Sequence, residues 1–341
     1  MRQDLIKNLH PVYFSLVMAT GIVSVASHFE GFDGIARLLL GVNVAAYVAL
    51  WALYLFRLFR FPTQFIGDFF NFPRGVGYFT VVAGTCVLGS QINLVGGNPT
   101  VGGWLWFLGL VLWPIMLYGI FTCYTIAREK PDLAKGINGG WLVSVVSCQG
   151  VSLLGSQLAG HFAPMQEGVM FLSLVAWLIG AMLYIWIIAL IFYRSMFLLM
   201  EPAEFSSPYW INMGAAAIST LAGSLLILNQ QHSPLVADII PFVKGFTLFF
   251  WATASAWIPQ LLVLGVWRYV IRRFPFTYSP MDWGMVFPLG MYAACTHMLA
   301  KSIEAPWLEF IPGMFIYVAW LAWSVTVLNY LRSWTTAADR S

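Results

Sequence analysis

The chain has 341 residues, 60% of them hydrophobic and only 9% charged, with a formal net charge of +3 and a mean hydropathy of +0.78. A soluble domain carries about 25% charged residues, so the composition excludes a water-facing globule and points to an integral membrane protein in a lipid bilayer. The net charge follows from where Lys and Arg fall along the chain, and implies no nucleic-acid surface.

Apolar runs of roughly 17–25 residues are long enough to span a bilayer. Ten occur, at 11–28, 34–57, 74–94, 101–125, 140–159, 167–196, 209–229, 241–271, 281–299 and 306–331. The short alternating segments of a membrane β-barrel are absent, so the expected fold is all-α. Basic residues set the orientation. With the N-terminus inside, fourteen of the seventeen fall on inner segments: Arg2, Lys7, Arg57, Arg60, Arg74, Arg128, Lys130, Lys135, Arg194, Arg268, Arg272, Arg273, Arg332 and Arg340. Only Arg37, Lys244 and Lys301 fall outside. A multi-pass cell-membrane protein with both termini in the cytoplasm is expected. Cys86, Cys123, Cys148 and Cys295 all lie in apolar runs without a CxxC pair, which argues against a disulfide frame or a metal site.

The runs pair into hairpins. The first, about 1–60, opens after Pro11 and carries Gly21 in "MATGIV". The second, 61–130, opens after Pro73 and carries Gly89 in "VLGSQ". The third, 131–200, begins with "GINGG" in place of a proline and carries Gly155 in "LLGSQ". The fourth, 201–275, follows Pro208 and carries Gly223 in "LAGSLL". The fifth, 276–341, follows Pro280 and carries Gly290 in "FPLGMY". The glycines are 68, 66, 68 and 67 residues apart, always on the odd-numbered run. A proline fits there because the first-turn N–H of a helix has no helical partner. Such spacing marks an internal repeat, and the apolar run behind Arg2 and Lys7 is its first unit, not a cleaved signal peptide.

Odd and even helices differ in texture. Thirteen of the sixteen tryptophans lie on or beside even helices, whereas odd ones are rich in small residues, as in "AAAISTLAGS". Small residues let backbones approach, and aromatics suit lipid contact and the interfacial belts. The expected architecture is a single transmembrane domain, 1–341, of ten helices in five tandem hairpins. Five inner helices surround a central pore and five outer ones ring them. Small faces that merely pack a solid bundle are the competing reading.

One turn before each repeat glycine, on the same helical face, stand Met18, Cys86, Ser152, Thr220 and Phe287. Phe287 precedes Pro288, and a mid-helix proline kinks the helix and frees a carbonyl. One reading makes Phe287 a plug held at a kink on the axis; the other makes it an ordinary core residue. No Asp, Glu, Lys or Arg falls in the middle of an odd helix, which argues against a carboxylate-based ion pump. The expected pore face carries hydroxyls and small groups: Met18, Thr20, Gly21, Ser24, Thr85, Cys86, Gly89, Ser90, Ser152, Gly155, Ser156, Ser219, Thr220, Gly223, Ser224 and Gly290. Such hydroxyls can donate weakly to a passing anion, or can bond their own i−4 carbonyls. His28, His161 and His297 follow their repeat glycines by seven, six and seven residues. They are candidates for a partial ring at the outer mouth, responsive to pH, or are interfacial histidines without a role.

"HPVYFSLVMATGIVS", "FPRGVGYF" and "VFPLGMYA" resemble the tellurite-resistance/dicarboxylate transporter family, which includes malate and sulfite transporters and plant slow anion channels. The resemblance spans essentially the whole chain in helix count, repeat and topology. It implies a homotrimer whose protomers each have their own pore, occluded by a phenylalanine of the ninth helix that matches Phe287. "MATGI" looks more like the malate and sulfite branch, implying small anions, C4-dicarboxylates or oxyanions such as sulfite and tellurite as substrate. The expected function is therefore anion transport without a cofactor, not an enzyme activity. A proton-coupled dicarboxylate carrier is the alternative, with His297 the only deep titratable candidate. A haem-binding oxidoreductase is the remote one, because buried histidine pairs are missing, and no hydrolase constellation occurs.

Overall fold

The computed structural model describes residues 2–275 and 277–338; Arg340, counted among the inner basic residues, lies outside the described residues. It is helical throughout, with no strand among the described residues. Ten long helices follow the expected runs: α1 Phe14–Phe29, α2 Asp33–Arg60, α3 Phe79–Leu94, α4 Pro99–Ile126, α5 Val143–Leu158, α6 Gln166–Phe197, α7 Ile211–Leu228, α8 Ile240–Val266, α9 Trp283–Ser302 and α10 Phe310–Ala338. Nine of these, among the described residues, are long and apolar enough to cross a membrane. The exception is α9, diluted by Pro288, Thr296, His297 and Lys301.

The odd helices close a ring. α1 packs on α3, α3 on α5, α5 on α7, α7 on α9, and α9 back on α1. Each even helix packs on the odd helix of its own hairpin and also touches the next one, α10 closing the cycle on α1. Burial follows this division. The most apolar stretches of α3 and α5, with their lead-in turns, are 94% buried, whereas those of α2, α4 and α10 are 22% buried and that of α8 is 17%. The exposed faces of the even helices carry large apolar side chains such as Leu38, Phe107, Phe192, Val263 and Leu321, as a lipid-facing surface requires.

Every inner helix begins with a 3-10 turn: Pro11–Tyr13, Val76–Tyr78, Gly139–Leu142, Ser207–Trp210 and Pro280–Asp282. The five turns touch one another in a second closed ring, so all five helix N-termini meet at one end. Two contacts there demand glycine. A Cβ on Gly77 would lie 2.8 Å from the Val12 nitrogen, and one on Gly139 would collide with the Pro208 carbonyl. Hence the third hairpin begins with glycines instead of a proline: its backbone is pressed against the next turn.

The even-helix tryptophans divide in two. Trp104, Trp186 and Trp307 face outward, 72%, 60% and 70% exposed, as lipid contact predicts. Others turn inward, against the expectation from composition, because an indole N–H in a membrane needs an acceptor. Trp106 donates to the Val151 carbonyl at 3.0 Å, Trp177 to the Ser219 carbonyl at 2.9 Å, and Trp323 to Thr20 Oγ1 at 3.0 Å. Each bond ties an outer helix to an inner one.

Candidate functional site

A cavity lies on the ring axis at the N-terminal mouth. Every repeat lines it: His10, Val12, Ser15 and Met18 from the first; Val76, Gly77 and Thr80 from the second; Asn138, Gly140 and Val143 from the third; Ser206, Pro208 and Ile211 from the fourth; Met281 and Gly284 from the fifth. No Asp, Glu, Lys or Arg is among its lining residues. Five parallel helices aim their N-terminal, partially positive ends at this mouth. Ser15 is 1% exposed, and its Oγ has no hydrogen-bond partner among the described residues.

The rim is braced by charge. Asp68 receives Arg57 at 2.8 Å and Arg74 at 2.6 Å, two cations on one carboxylate. The same arginines hold the leading segment in place: Arg57 Nε donates to the Lys7 carbonyl at 3.0 Å, and Arg74 Nη2 to the Leu9 carbonyl at 2.9 Å. Tyr54 adds a bond to the His10 carbonyl at 2.8 Å. His10 is thus fixed at the cavity wall with Nδ1 accepting from the Val12 N–H at 3.1 Å, which leaves the ring proton of the neutral form on Nε2. Burial, reinforced by Arg74 and Arg57, pushes its pKa down to about 4. Neutral His10 is therefore the form at physiological pH.

The repeat glycines face neighbouring helices. A Cβ on Gly21 would lie 2.8 Å from Val87 and 3.0 Å from Asn43; one on Gly290 would lie 3.0 Å from Val23. At Gly89 it would collide with Leu154, at Gly155 with Ser173, and at Gly223 with Thr247. For Gly155 and Gly223 the notch also admits an indole: the Cβ positions lie 2.7 Å from Trp106 Nε1 and 3.0 Å from Trp177 Cζ2. Each indole then reaches the carbonyl four residues earlier. The spacing that marks the repeat is thus a device for close helix packing.

The hydroxyls are mostly committed as well. Thr85 donates to the Val81 carbonyl and meets Tyr47 of α2 at 3.0 Å. Ser24 donates to the Ala36 carbonyl, Ser219 to Ala215, Thr220 to Ala216, and Ser156 to the carbonyl of Ser152. Ser90 donates to Gln157 Oε1 at 2.7 Å, so the two LGSQ segments join, the serine of one to the glutamine of the other. Cys86 Sγ lies 2.6 Å from the Cβ position of Gly109 on α4. The side-chain oxygens of Ser152 and Ser224 are buried without a partner among the described residues. Of the expected pore face, Met18 alone lines the cavity. Phe287 is fully buried, and Pro288 packs its ring 2.6 Å from the Cβ position of Gly214 on α7.

The sequence pattern of the SLAC1 family, described as voltage-dependent anion channel, matches residues 8–331. The chain belongs to the SLAC1 family. An uncharacterized transporter of Methanocaldococcus jannaschii is 24% identical over 333 residues, covering 96% of this chain and 93% of the relative. An uncharacterized membrane protein of Mycobacterium tuberculosis is 31% identical over 159 residues, 47% of this chain and 80% of the relative. A sulfite efflux pump of Arthroderma benhamiae is 20% identical over 344 residues, covering 93% of this chain and 88% of the relative.

In this SLAC1-family chain the three histidines expected at the outer mouth have separate surroundings. His28 Nδ1 contacts Asp33 at 2.6 Å, His161 is exposed, and His297 contacts Glu309 at 2.9 Å. Sequence reasoning missed His10, Ser15 and Asn138 at the opposite mouth. The signal was there: His10 and Asn138 directly precede the lead-in residues Pro11 and Gly139 as caps of their 3-10 turns, and Ser15 stands three residues before Met18 on the same helical face.

Proposed function

We propose that the protein conducts small anions across the cell membrane along the axis of its five inner helices, through a path occluded at Phe287. The observation that carries this reading is the axial cavity to which all five repeats contribute and in which no acidic side chain stands. Five helix N-termini favour negative charge there, and the unpartnered Ser15 hydroxyl offers a donor. In the repeat register Phe287 corresponds to Met18, three residues before the repeat glycine, and Met18 lines the cavity. Phe287 also lies one turn beyond Gly284, the deepest cavity residue of the fifth hairpin. Conduction needs weak, multiple contacts, which hydroxyls and backbone N–H groups supply.

In this reading all ten helices span the bilayer as five hairpins, both termini are cytoplasmic, and the cavity is the cytoplasmic vestibule. The clustering of Arg57, Arg74, Arg194 and Arg268 near that mouth accords with the positive-inside rule. The assembly is a homotrimer with one pore per protomer. The substrate is a small anion of the oxyanion or C4-dicarboxylate class, and the likeness to a sulfite efflux pump supports sulfite among the candidates. The path runs past Met18, Ser15 and Phe287, with Ser152 and Ser224 the free hydroxyls deeper in; the repeat glycines act by packing. Purified protein in liposomes, assayed for chloride, nitrate, sulfite, malate and tellurite uptake, tests the proposal. Saturable or channel-like uptake of at least one anion is expected, and none for any of the five would refute it. A pH gradient across the same vesicles separates the modes: a channel's initial flux ignores it, a proton-coupled carrier's follows it.

A further inference from the structure

Where the ring closes between the first and fifth hairpins, three ligating side chains from different elements meet. Glu30 caps the C-terminal end of α1, His297 stands on the last turns of α9, and Glu309 immediately precedes α10. His297 Nδ1 is 2.9 Å from Glu309 Oε2 and 3.6 Å from Glu30 Oε1. One ligand atom from each residue lies within 4.8 Å of the others. The His297 side chain is only 10% exposed and is held by Phe29, which stacks on it at 4.9 Å between centroids and 13° between planes. Opposite Glu30 the chain presents Gly313, whose Cβ position is 3.6 Å from Oε2, so space remains beside the carboxylate.

A proton on Nδ1 can serve only one carboxylate, and Glu309 is the nearer of the two. Among the described residues no hydrogen-bond donor reaches the Glu30 carboxylate closer than His297 at 3.6 Å. Two carboxylates thus converge on one imidazole nitrogen with one proton between them, an arrangement that a cation completes. We propose that Glu30, His297 and Glu309 form a binding site for a divalent transition metal of the zinc class, at the mouth opposite the vestibule.

One imidazole nitrogen and two carboxylate oxygens are ligands zinc accepts, at about 2.0–2.2 Å, with a fourth position left for water. Tetrahedral bonds of that length place neighbouring ligand atoms about 3.3 Å apart, and the separations of 2.9 and 3.6 Å bracket that value. Calcium and magnesium prefer all-oxygen shells of six or more ligands and suit this triad less well. Binding requires Nδ1 to give up its proton, which leaves on Nε2 or to solvent. Lys301, one turn beyond His297, is the nearest competing cation and is exposed, so it can swing away. The bound ion ties α1 to α9 and α10 across the seam that closes the ring. It also restrains the helix carrying Phe287, although the site stands independently of the transport reading.

Untagged full-length protein, stripped with chelator and titrated calorimetrically with zinc, tests this. The expected result is one ion per chain at micromolar affinity, with a raised thermal midpoint on zinc addition and no matching effect of calcium. Glu30→Gln, Glu309→Gln and His297→Gln should each weaken binding at least tenfold. Glu30→Gln removes no hydrogen bond, so its metal-free melting temperature should match the parent and keep the comparison free of folding effects. The proposal is overturned if the parent shows no saturable zinc binding in the micromolar range, or if Glu30→Gln and His297→Gln bind zinc as tightly as the parent.

Discussion

Gly223→Ala should destabilise the protein, against the usual preference of a helix for alanine. The added methyl would collide with Thr247 Oγ1 and sit 3.0 Å from Trp177 Cζ2 and 3.2 Å from Thr247 Cβ. Thr247 and Trp177 are both fully buried; a second helical χ1 rotamer of Thr247 would move Oγ1 away but leave the contacts to its Cβ and to the indole, so relief must come from moving α8 or the indole. Overpacking of this kind costs about 1–3 kcal/mol. Displacing the indole also loses the 2.9 Å bond to the Ser219 carbonyl, worth about 1 kcal/mol. The helical preference for alanine returns about 1 kcal/mol. The net loss is then about 1–3 kcal/mol. Gly245→Ala, in the outer helix α8 with nothing within 4 Å of its Cβ position, should instead stabilise by up to about 1 kcal/mol. Unfolding of the two purified variants in detergent, measured side by side, reads the difference. If Gly223→Ala proved as stable as Gly245→Ala, the account of the repeat glycines as packing notches would fail.

Two further outcomes follow from the charge-braced rim of the cavity. Asp68→Asn leaves Arg57, 1% exposed, buried without its carboxylate and should cost about 3–5 kcal/mol; a melting temperature equal to that of the parent would refute the bracing role. His10 has its pKa pushed from the ordinary 6.5 down to about 4, so the unfolded chain binds this proton first as pH falls. His10's contribution to stability should therefore be constant above about pH 7 and decline as pH drops from 6.5 towards 4. His10→Gln should remove that part of the decline in pH-dependent unfolding, and an unchanged profile would contradict the burial assigned to the ring.

Much of the fold could be read from the chain, because its determinants are local and repeated. Apolar runs marked the helices, and the five spaced glycines fall on α1, α3, α5, α7 and α9, the helices that pack in a ring. The side each residue faces was less legible. Gly155 and Gly223 lie on a small-residue face, but periodicity alone does not say whether an indole or an axis adjoins it. The answer depends on Trp106 and Trp177, which belong to other helices. Cross-helix polar pairs were equally hidden: Asn43 donates to Gln91 at 2.7 Å across 48 residues of chain, and His297 finds Glu30 only once the ring closes. The cavity residues His10 and Asn138 cap 3-10 turns, where the helical face rule does not apply, whereas Ser15 stands in α1 three residues before Met18, on the face that rule selects.

The account stands on a path along the ring axis stoppered by one aromatic side chain. Anion uptake into liposomes by Phe287→Ala, compared with the parent at equal protein density, tests that most directly. The account predicts a several-fold rise in flux with the helical spectrum unchanged. Equal flux from a folded Phe287→Ala protein would contradict it.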